Sequence, residues 1–316
     1  MSQIRFLHKY LAAHHLQMVN TKKTIGYYSI LGFEKEPFAT SPDPEFFYHT
    51  REHDLALTNL LIELRLRRGL SVIFGDVGTG KTTLSRKLLH ELNKRGDMIF
   101  HMILDPTFAG EGQFLASLVR NFDIELPNDF DFKNSDIVEL RDAIEKFLIQ
   151  KTLEENRTII LIVDEAQKLD LATLEALRIL LNFETNEHKL IQLVLLGQLE
   201  LYSKVVHMAN FLDRISFKFT LNPLDAKETK ELIEFRIQKA GYAGANQLFS
   251  NEAVSEIYNA TKGYPRKINM LCHKVLKALV MHDEISASGV FVKDIVLKER
   301  QWLSGARENV AQVVKA

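Results

Sequence analysis

Between residues 75 and 82 the chain reads Gly75-Asp76-Val77-Gly78-Thr79-Gly80-Lys81-Thr82, three glycines followed by an ammonium side chain and a hydroxyl. This is a complete GxxxxGK[ST] phosphate loop. Such a turn points successive backbone N–H groups at one spot, where an anion is held by those donors and by the dipole of the helix that follows. The glycines permit turn conformations that a Cβ would block. Lys81 then reaches the β and γ phosphates of a nucleotide, and the Thr82 hydroxyl reaches its Mg²⁺. A chance glycine-rich turn is the competing reading. The context opposes it, because the apolar run 70–74 precedes the loop and a helix-like run opens at Thr83.

A second group of residues suits the same chemistry. Residues 158–163 are an apolar strand that ends in Asp164 and Glu165. A carboxylate at the end of a buried strand beside a phosphate loop reaches the metal shell, and the next one polarises an attacking water. Asp164 is therefore expected on the metal and Glu165 as general base, against the alternative of a solvated acidic turn. Gln198, after the apolar run 191–196, is placed to orient the water or sense the γ-phosphate, or is a simple turn residue. Arg266 follows Pro265 at the start of a helix, where a cation is disfavoured by roughly 0.3–1 kcal/mol. That cost points to a nearby anion such as a nucleotide phosphate, the alternative being a solvent-facing arginine. Arg214 is a candidate arginine finger toward a neighbouring subunit, with a surface salt bridge as the other reading.

Five β-rich runs position these groups: 70–74, 98–104, 158–163, 191–196 and 215–221. Runs with few polar residues, alternating with helices, are what a parallel sheet covered on both faces requires. The fifth alternates Ser216, Lys218 and Thr220 with apolar residues and is expected at an edge. A helix over 171–184 would align Leu171, Leu174, Leu177 and Leu181. These elements predict a three-layer α/β nucleotide-binding domain over residues 27–222. After Pro223 the β signal ends. Helices are predicted over 225–240, 251–261, 265–282 and 289–302, with breaks at Gly241, Gly244, Gly263 and Gly289. They form an all-helical lid over 223–300, followed by a polar tail, 301–316.

Composition is that of a globular protein, 46% hydrophobic and 26% charged. Lys plus Arg is 40 against 41 acids, so the net charge carries no nucleic-acid footprint and any such contact would need a local patch. The one cysteine, Cys272, excludes an internal disulfide and is expected as a buried thiol. No window reaches the roughly 18 uncharged apolar residues of a membrane helix, so no direct transmembrane insertion is expected. Residues 1–26 form a basic arm with Arg5, Lys9, Lys22 and Lys23 and no acid. Three readings stay open for it: a surface for membrane or nucleic acid, an amphipathic capping helix, or sequence upstream of a true start near Met18.

Taken together, the chain resembles AAA+ ATPases, and more narrowly the ExeA/GspA group, which includes the MshM proteins of pilus assembly. The resemblance runs from about Tyr27 to Val296. It is carried by Tyr28-Ser-Ile-Leu-Gly-Phe33 with Pro37-Phe38, Ser41-Pro-Asp-Pro44 and Phe47-Tyr48, then by the phosphate loop through Thr83. Val163-Asp-Glu-Ala-Gln167, Leu195-Leu-Gly-Gln-Leu-Glu-Leu201, Gly263-Tyr-Pro-Arg-Lys-Ile-Asn269 and Leu271-Cys-His273 complete it. It implies an ATP- and Mg²⁺-dependent ATPase with sheet order 5-1-4-3-2 and a lid closing over the nucleotide. Lys81 and Thr82 match Walker A, Asp164 and Glu165 Walker B, Gln198 the first sensor, Arg214 the finger and Arg266 the second sensor, while Pro37 and Phe38 lie where the family's linker passes the adenine. ExeA itself continues past its ATPase into a membrane span and a peptidoglycan-binding region, whereas this chain ends at Ala316; a stand-alone version would act through a partner. The family's Gly-Gln-Pro-Glu is Gly-Gln-Leu-Glu here, and its Arg-rich finger segment is reduced to Asp213-Arg214. The resemblance implies a cytoplasmic homo-oligomer, ring or helical, peripheral at the inner membrane through a membrane-anchored assembly protein and serving a secretion system or pilus. The alternative is a TnsC/TniB-like transposition ATPase on duplex DNA, with Arg65, Arg67, Arg68, Arg86, Lys87, Lys94 and Arg95 as candidate basic residues.

Overall fold

The computed structural model describes residues 26–39, 44–46, 48–126, 136–244 and 246–313, and the side chains among these up to residue 301. The basic arm, apart from its last residue, lies outside the described residues, as do Ser41, Pro42, Asp43, Phe47 and the last three residues. The chain divides into two units, residues 49–222 and residues up to 48 together with those from 223 onward.

The first unit is built on five parallel strands: β1 (Leu70–Gly75), β2 (Met98–Ile103), β3 (Thr158–Val163), β4 (Ile191–Gly197) and β5 (Ile215–Leu221). Their order is β2-β3-β4-β1-β5, the sequence expectation read from the other edge. Around them lie α1 (Arg51–Arg65), α2 (Lys81–Asn93), α3 (Glu111–Asn121), α4 (Ile137–Ile149), α5 (Leu171–Leu180) and α6 (Leu199–Val205). The three central strands are buried along their whole length because side chains on both faces meet helices. Ile159, Leu161 and Val163 face one core with Phe114, Leu118, Leu140, Ile144, Leu174 and Leu177. Ile160 and Ile162 face the other, with Leu60 and Leu64 of α1 and Leu84, Leu88 and Leu92 of α2. The fifth strand lies at an edge, and Ser216, Lys218 and Thr220 are exposed while their neighbours are partly buried.

The ends of one helix and one strand fall short of the sequence expectation. The predicted helix over 171–184 stops at Leu180, and an antiparallel bridge pairs Glu184 with Lys189. Leu171, assigned to its apolar face, is exposed, whereas Leu174, Leu177 and Leu181 are buried. Leu171 is the first helical residue after the Asp170 cap, so its side chain precedes the turns that face the sheet. Leu104, placed at the end of the second strand, falls beyond Ile103 and is also exposed.

The second unit contains α7 (Ala226–Lys239), α8 (Asn251–Thr261), α9 (Pro265–His282) and α10 (Gly289–Val313). Asp225 and Glu228 form a capping box on α7, Ser250 caps α8, and Pro265 takes the first position of α9. The predicted apolar stripe of α9 (Ile268, Leu271, Cys272, Val275, Leu276, Leu279) is buried. Burial pushes the Cys272 thiol well above its ordinary range, leaving an inert core thiol. Helix α10 runs on to Val313, past residue 302 where the sequence pattern ended it.

The described residues between 27 and 48, grouped by sequence with the nucleotide-binding domain, pack into this helical unit instead. Phe33, Phe38 and Phe46 are buried in its core, and Phe38 meets Phe249 edge-to-face with 6.2 Å between centroids. Arg236, 7% exposed, donates from Nε to the Pro37 carbonyl at 2.8 Å and lies over the Phe46 ring. The Tyr48 hydroxyl donates to Glu231 at 2.5 Å, and the Tyr27 hydroxyl lies 2.8 Å from His273 Nδ1. Pro37 and Phe38 are thus structural members of the helical core.

Candidate nucleotide site

Most described helices of eight residues or more begin on a side chain that accepts a first-turn N–H; α2 begins on Gly80, a left-handed residue at φ 105° with no side-chain cap. The N–H groups of its first turn are left for another acceptor, which is how a helix N-terminus holds phosphate. Gly78 is also left-handed, at φ 86°. Inside the loop, Thr79 is buried and its hydroxyl donates to the Asp76 carbonyl at 2.9 Å. Lys81 Nζ donates to the carbonyls of Gly75 at 2.7 Å and Asp76 at 3.0 Å. Burial lowers the pKa of the Lys81 ammonium, against the opposing pull of Glu165, Asp164 and Asp76.

Strand register brings the other groups to this loop. In the parallel ladder Phe74 lies opposite Gly197, and Val163 opposite Leu195. The chain therefore leaves β1, β4 and β3 side by side, carrying the phosphate loop, Gln198, and Asp164 with Glu165 respectively. Asp164 is 2% exposed, and its Oδ1 accepts the Glu165 N–H at 2.9 Å. Burial raises its pKa; the Glu165 N–H and a hydrogen bond from the Thr82 side chain oppose the rise. Thr82 and Asp164 are thus neighbours, two oxygen donors of the hard kind that Mg²⁺ takes alongside phosphate oxygens and water. Glu165 is half-buried and left-handed, at φ 51°, a conformation uncommon for a residue with a Cβ and enriched at working sites.

Three residues with no role in the sequence reading belong to this arrangement. His53, in the first turn of α1, is 4% exposed, and its Nδ1 lies 2.6 Å from the Thr50 hydroxyl. A Cβ on Gly80 would fall 2.6 Å from His53 Nε2, so Gly80 is needed both for its φ and for this close approach. Gln167 joins Glu165 to the end of β4. Lys204 of α6 donates to the carbonyls of Gln167 at 2.6 Å and Leu169 at 2.8 Å. Nothing in one-dimensional spacing marks His53 or Lys204; Gln167 lay inside a family-like stretch without an assigned function.

One predicted cation, Arg214, stands elsewhere in this unit. Arg214 precedes β5, whose first residue pairs with Leu70 at the start of β1. It is therefore at the opposite end of the sheet from the phosphate loop, roughly 16 Å away along the strand. Its guanidinium is partly buried and donates to the Leu181 carbonyl at 3.5 Å. Arg266 is exposed in the first turn of α9, in the helical unit.

The comparisons with known proteins agree with this geometry. Residues 64–205 match the family model described as an AAA domain. Over 288 residues the chain is 34% identical to the General secretion pathway protein A of Aeromonas hydrophila, covering 88% of this chain and 50% of that protein. The chain is an ExeA/GspA-like AAA+ ATPase. It spans about half the length of that curated relative. Among solved structures, the ORC2 protein of Aeropyrum pernix superposes with a TM-score of 0.58 at 16% identity, over 84% of this chain and 72% of that one. Cdc6p of Pyrobaculum aerophilum gives 0.59 at 17% identity, over 78% and 66%. At such identities these structures establish the AAA+ fold alone.

Proposed function

We propose that this AAA+ protein binds and hydrolyses ATP with Mg²⁺ and works as an oligomer that assembles part of a secretion system or pilus. The observation that carries the catalytic part is the convergence of Lys81, Thr82, Asp164 and Glu165 at the same ends of β1 and β3, the two strands that flank β4, with Thr82 near enough to Asp164 to oppose the rise in its pKa. In this reading the N–H groups from Gly75 through Thr83 and the Lys81 ammonium hold the phosphates. Thr82 and Asp164 hold Mg²⁺, which when bound neutralises charge on the phosphate oxygens. Glu165 takes the proton of the attacking water and Gln198 orients that water. Arg266 contacts a phosphate as second sensor, and Arg214 serves a neighbouring subunit. The secretion role is supported by the relative's name and the match along most of this chain. Among the described residues no helix is long and apolar enough to cross a membrane. In this reading a membrane-anchored partner holds the protein at the cytoplasmic face of the inner membrane.

Four of the seven basic residues considered for duplex DNA are engaged within the chain, which does not favour the transposition reading. Lys87 and Lys94 pair with Glu91, Arg95 pairs with Asp97, and Arg67 is held by Thr158 and Asn156.

The test is phosphate release against protein concentration, with Mg²⁺ or EDTA, and with or without duplex DNA. Expected are a rate per subunit that rises with concentration, is abolished by EDTA and ignores DNA, and a fall of about 10²–10⁴-fold in Glu165→Gln with ATP binding retained. Wild-type ATP binding without turnover would overturn the hydrolytic reading, and a jump with DNA would overturn the assembly reading in favour of transposition.

A further inference from the structure

The amide of Gln167 makes two directed bonds. Its Nε2 donates to Glu165 Oε2 at 2.6 Å, and its Oε1 accepts the backbone N–H of Gln198 at 3.1 Å. One side chain thereby ties the carboxylate of the general-base candidate to the chain leaving β4. The surroundings fix both ends. Residues 166–168 form a tight turn that starts from the left-handed Glu165, and Ala166 is fully buried. Lys204 clamps that turn through the carbonyls of Gln167 and Leu169. Gly197 keeps this corner open, since a Cβ there would lie 2.8 Å from the Leu201 side chain and 3.3 Å from the Gln167 backbone nitrogen.

We infer that Gln167 is a positioning residue that sets the Glu165 carboxylate to take the proton of the attacking water and couples it to the Gln198 backbone. The inference rests on the ATPase reading above and deepens it. The chemistry of an amide is what the place demands. The carboxylate needs a donor and the Gln198 N–H needs an acceptor, and glutamine presents both on one planar group. A hydrogen bond to a charged acceptor is among the stronger kinds. Misplacing a catalytic group by about 1 Å can cost on the order of 10²-fold in rate. Shifts of the Gln198 backbone would pass to Glu165 through this amide, so occupancy at the end of β4 and the aim of the base are linked mechanically.

Gln167→Met keeps the length and removes both bonds. Gln167→Glu keeps the acceptor for Gln198 but sets a carboxylate against Glu165. The experiment measures kcat and KM for ATP hydrolysis together with affinity for a fluorescent ATP analogue in Mg²⁺, on the full chain. Thermal melting serves as a control for folding. Expected are kcat values lowered about 10- to 100-fold in both variants, with nucleotide affinity within about threefold of wild type. In a Glu165→Gln background, adding Gln167→Met should cause no further fall. A Gln167→Glu protein with wild-type kcat would show that only the bond to Gln198 matters and would overturn the inference. So would a parallel loss of affinity and turnover, or a further fall in the double variant. A wild-type protein without turnover would defeat the ATPase reading and this inference together; an active wild type with unaffected Gln167 variants defeats the inference alone.

Discussion

His53 lies buried behind the phosphate loop, and its environment has a consequence for pH. Burial lowers its pKa from the ordinary histidine value, with its contact to the Thr79 backbone, and Glu52 and Asp54, opposing the shift. In the unfolded chain the imidazole takes a proton near pH 6.5. The native state resists that proton, so the unfolded state binds more protons below this pH. Its contribution to stability is complete above about pH 6.5 and is lost as pH falls toward the lower native pKa. The expected outcome is a larger drop in melting temperature between pH 7.5 and 5.5 for wild type than for His53→Gln, whose amide has no charge to gain. Equal drops would show that His53 does not carry this linkage. Residues of this kind were not legible in the sequence. Lys81, Thr82, Asp164 and Glu165 were, because each is fixed by its distance from a strand end. His53, Gln167 and Lys204 acquire their roles from chain segments that meet only after folding.

At the scale of elements, the junction of α8 with α9 depends on one close approach. Gly263 is left-handed at φ 75°, and a Cβ there would fall 1.8 Å from the Leu224 carbonyl oxygen. The Leu224 N–H donates to the Gly263 carbonyl at 2.9 Å, so the two backbones are joined as well as close. Gly263→Ala meets both the left-handed penalty and the clash, and should cost the helical unit about 2–3 kcal/mol. Urea unfolding followed by helical circular dichroism reads this directly, and an unchanged midpoint would mean the Leu224 segment moves aside at no cost. The sequence marked Gly263 as a helix break; the structure adds what passes beside it. The five strands were legible to within one residue because each is a short apolar run bounded by breakers. The end of α5 was not, since residues 181–184 continue the apolar and polar pattern while the backbone turns toward the bridge of Glu184 with Lys189.

At the scale of the molecule, the finger assignment requires a second subunit. Arg214 lies at the opposite end of the sheet from Lys81 in its own subunit, which a trans role accommodates. Lys81→Ala and Arg214→Ala proteins are each expected to be inactive alone. If subunits mix at random, an equal mixture should recover roughly a quarter of the wild-type rate, because one interface in four pairs an intact Lys81 with an intact Arg214. No recovery at any ratio would argue against the trans role.

The sequence by itself determined the sheet, the phosphate loop with its acidic partners, and the all-helical character of the region after Pro223. Those features are written in local spacing: apolar runs of strand length, a motif of fixed register, and stripes of helical period. Tertiary structure decided that Phe33, Phe38 and Phe46 join the helical core, that Arg214 stands far from its own subunit's loop, and that Gln167 bridges Glu165 to Gln198. Each depends on partners distant along the chain, and no local pattern encodes which distant segment a side chain will meet.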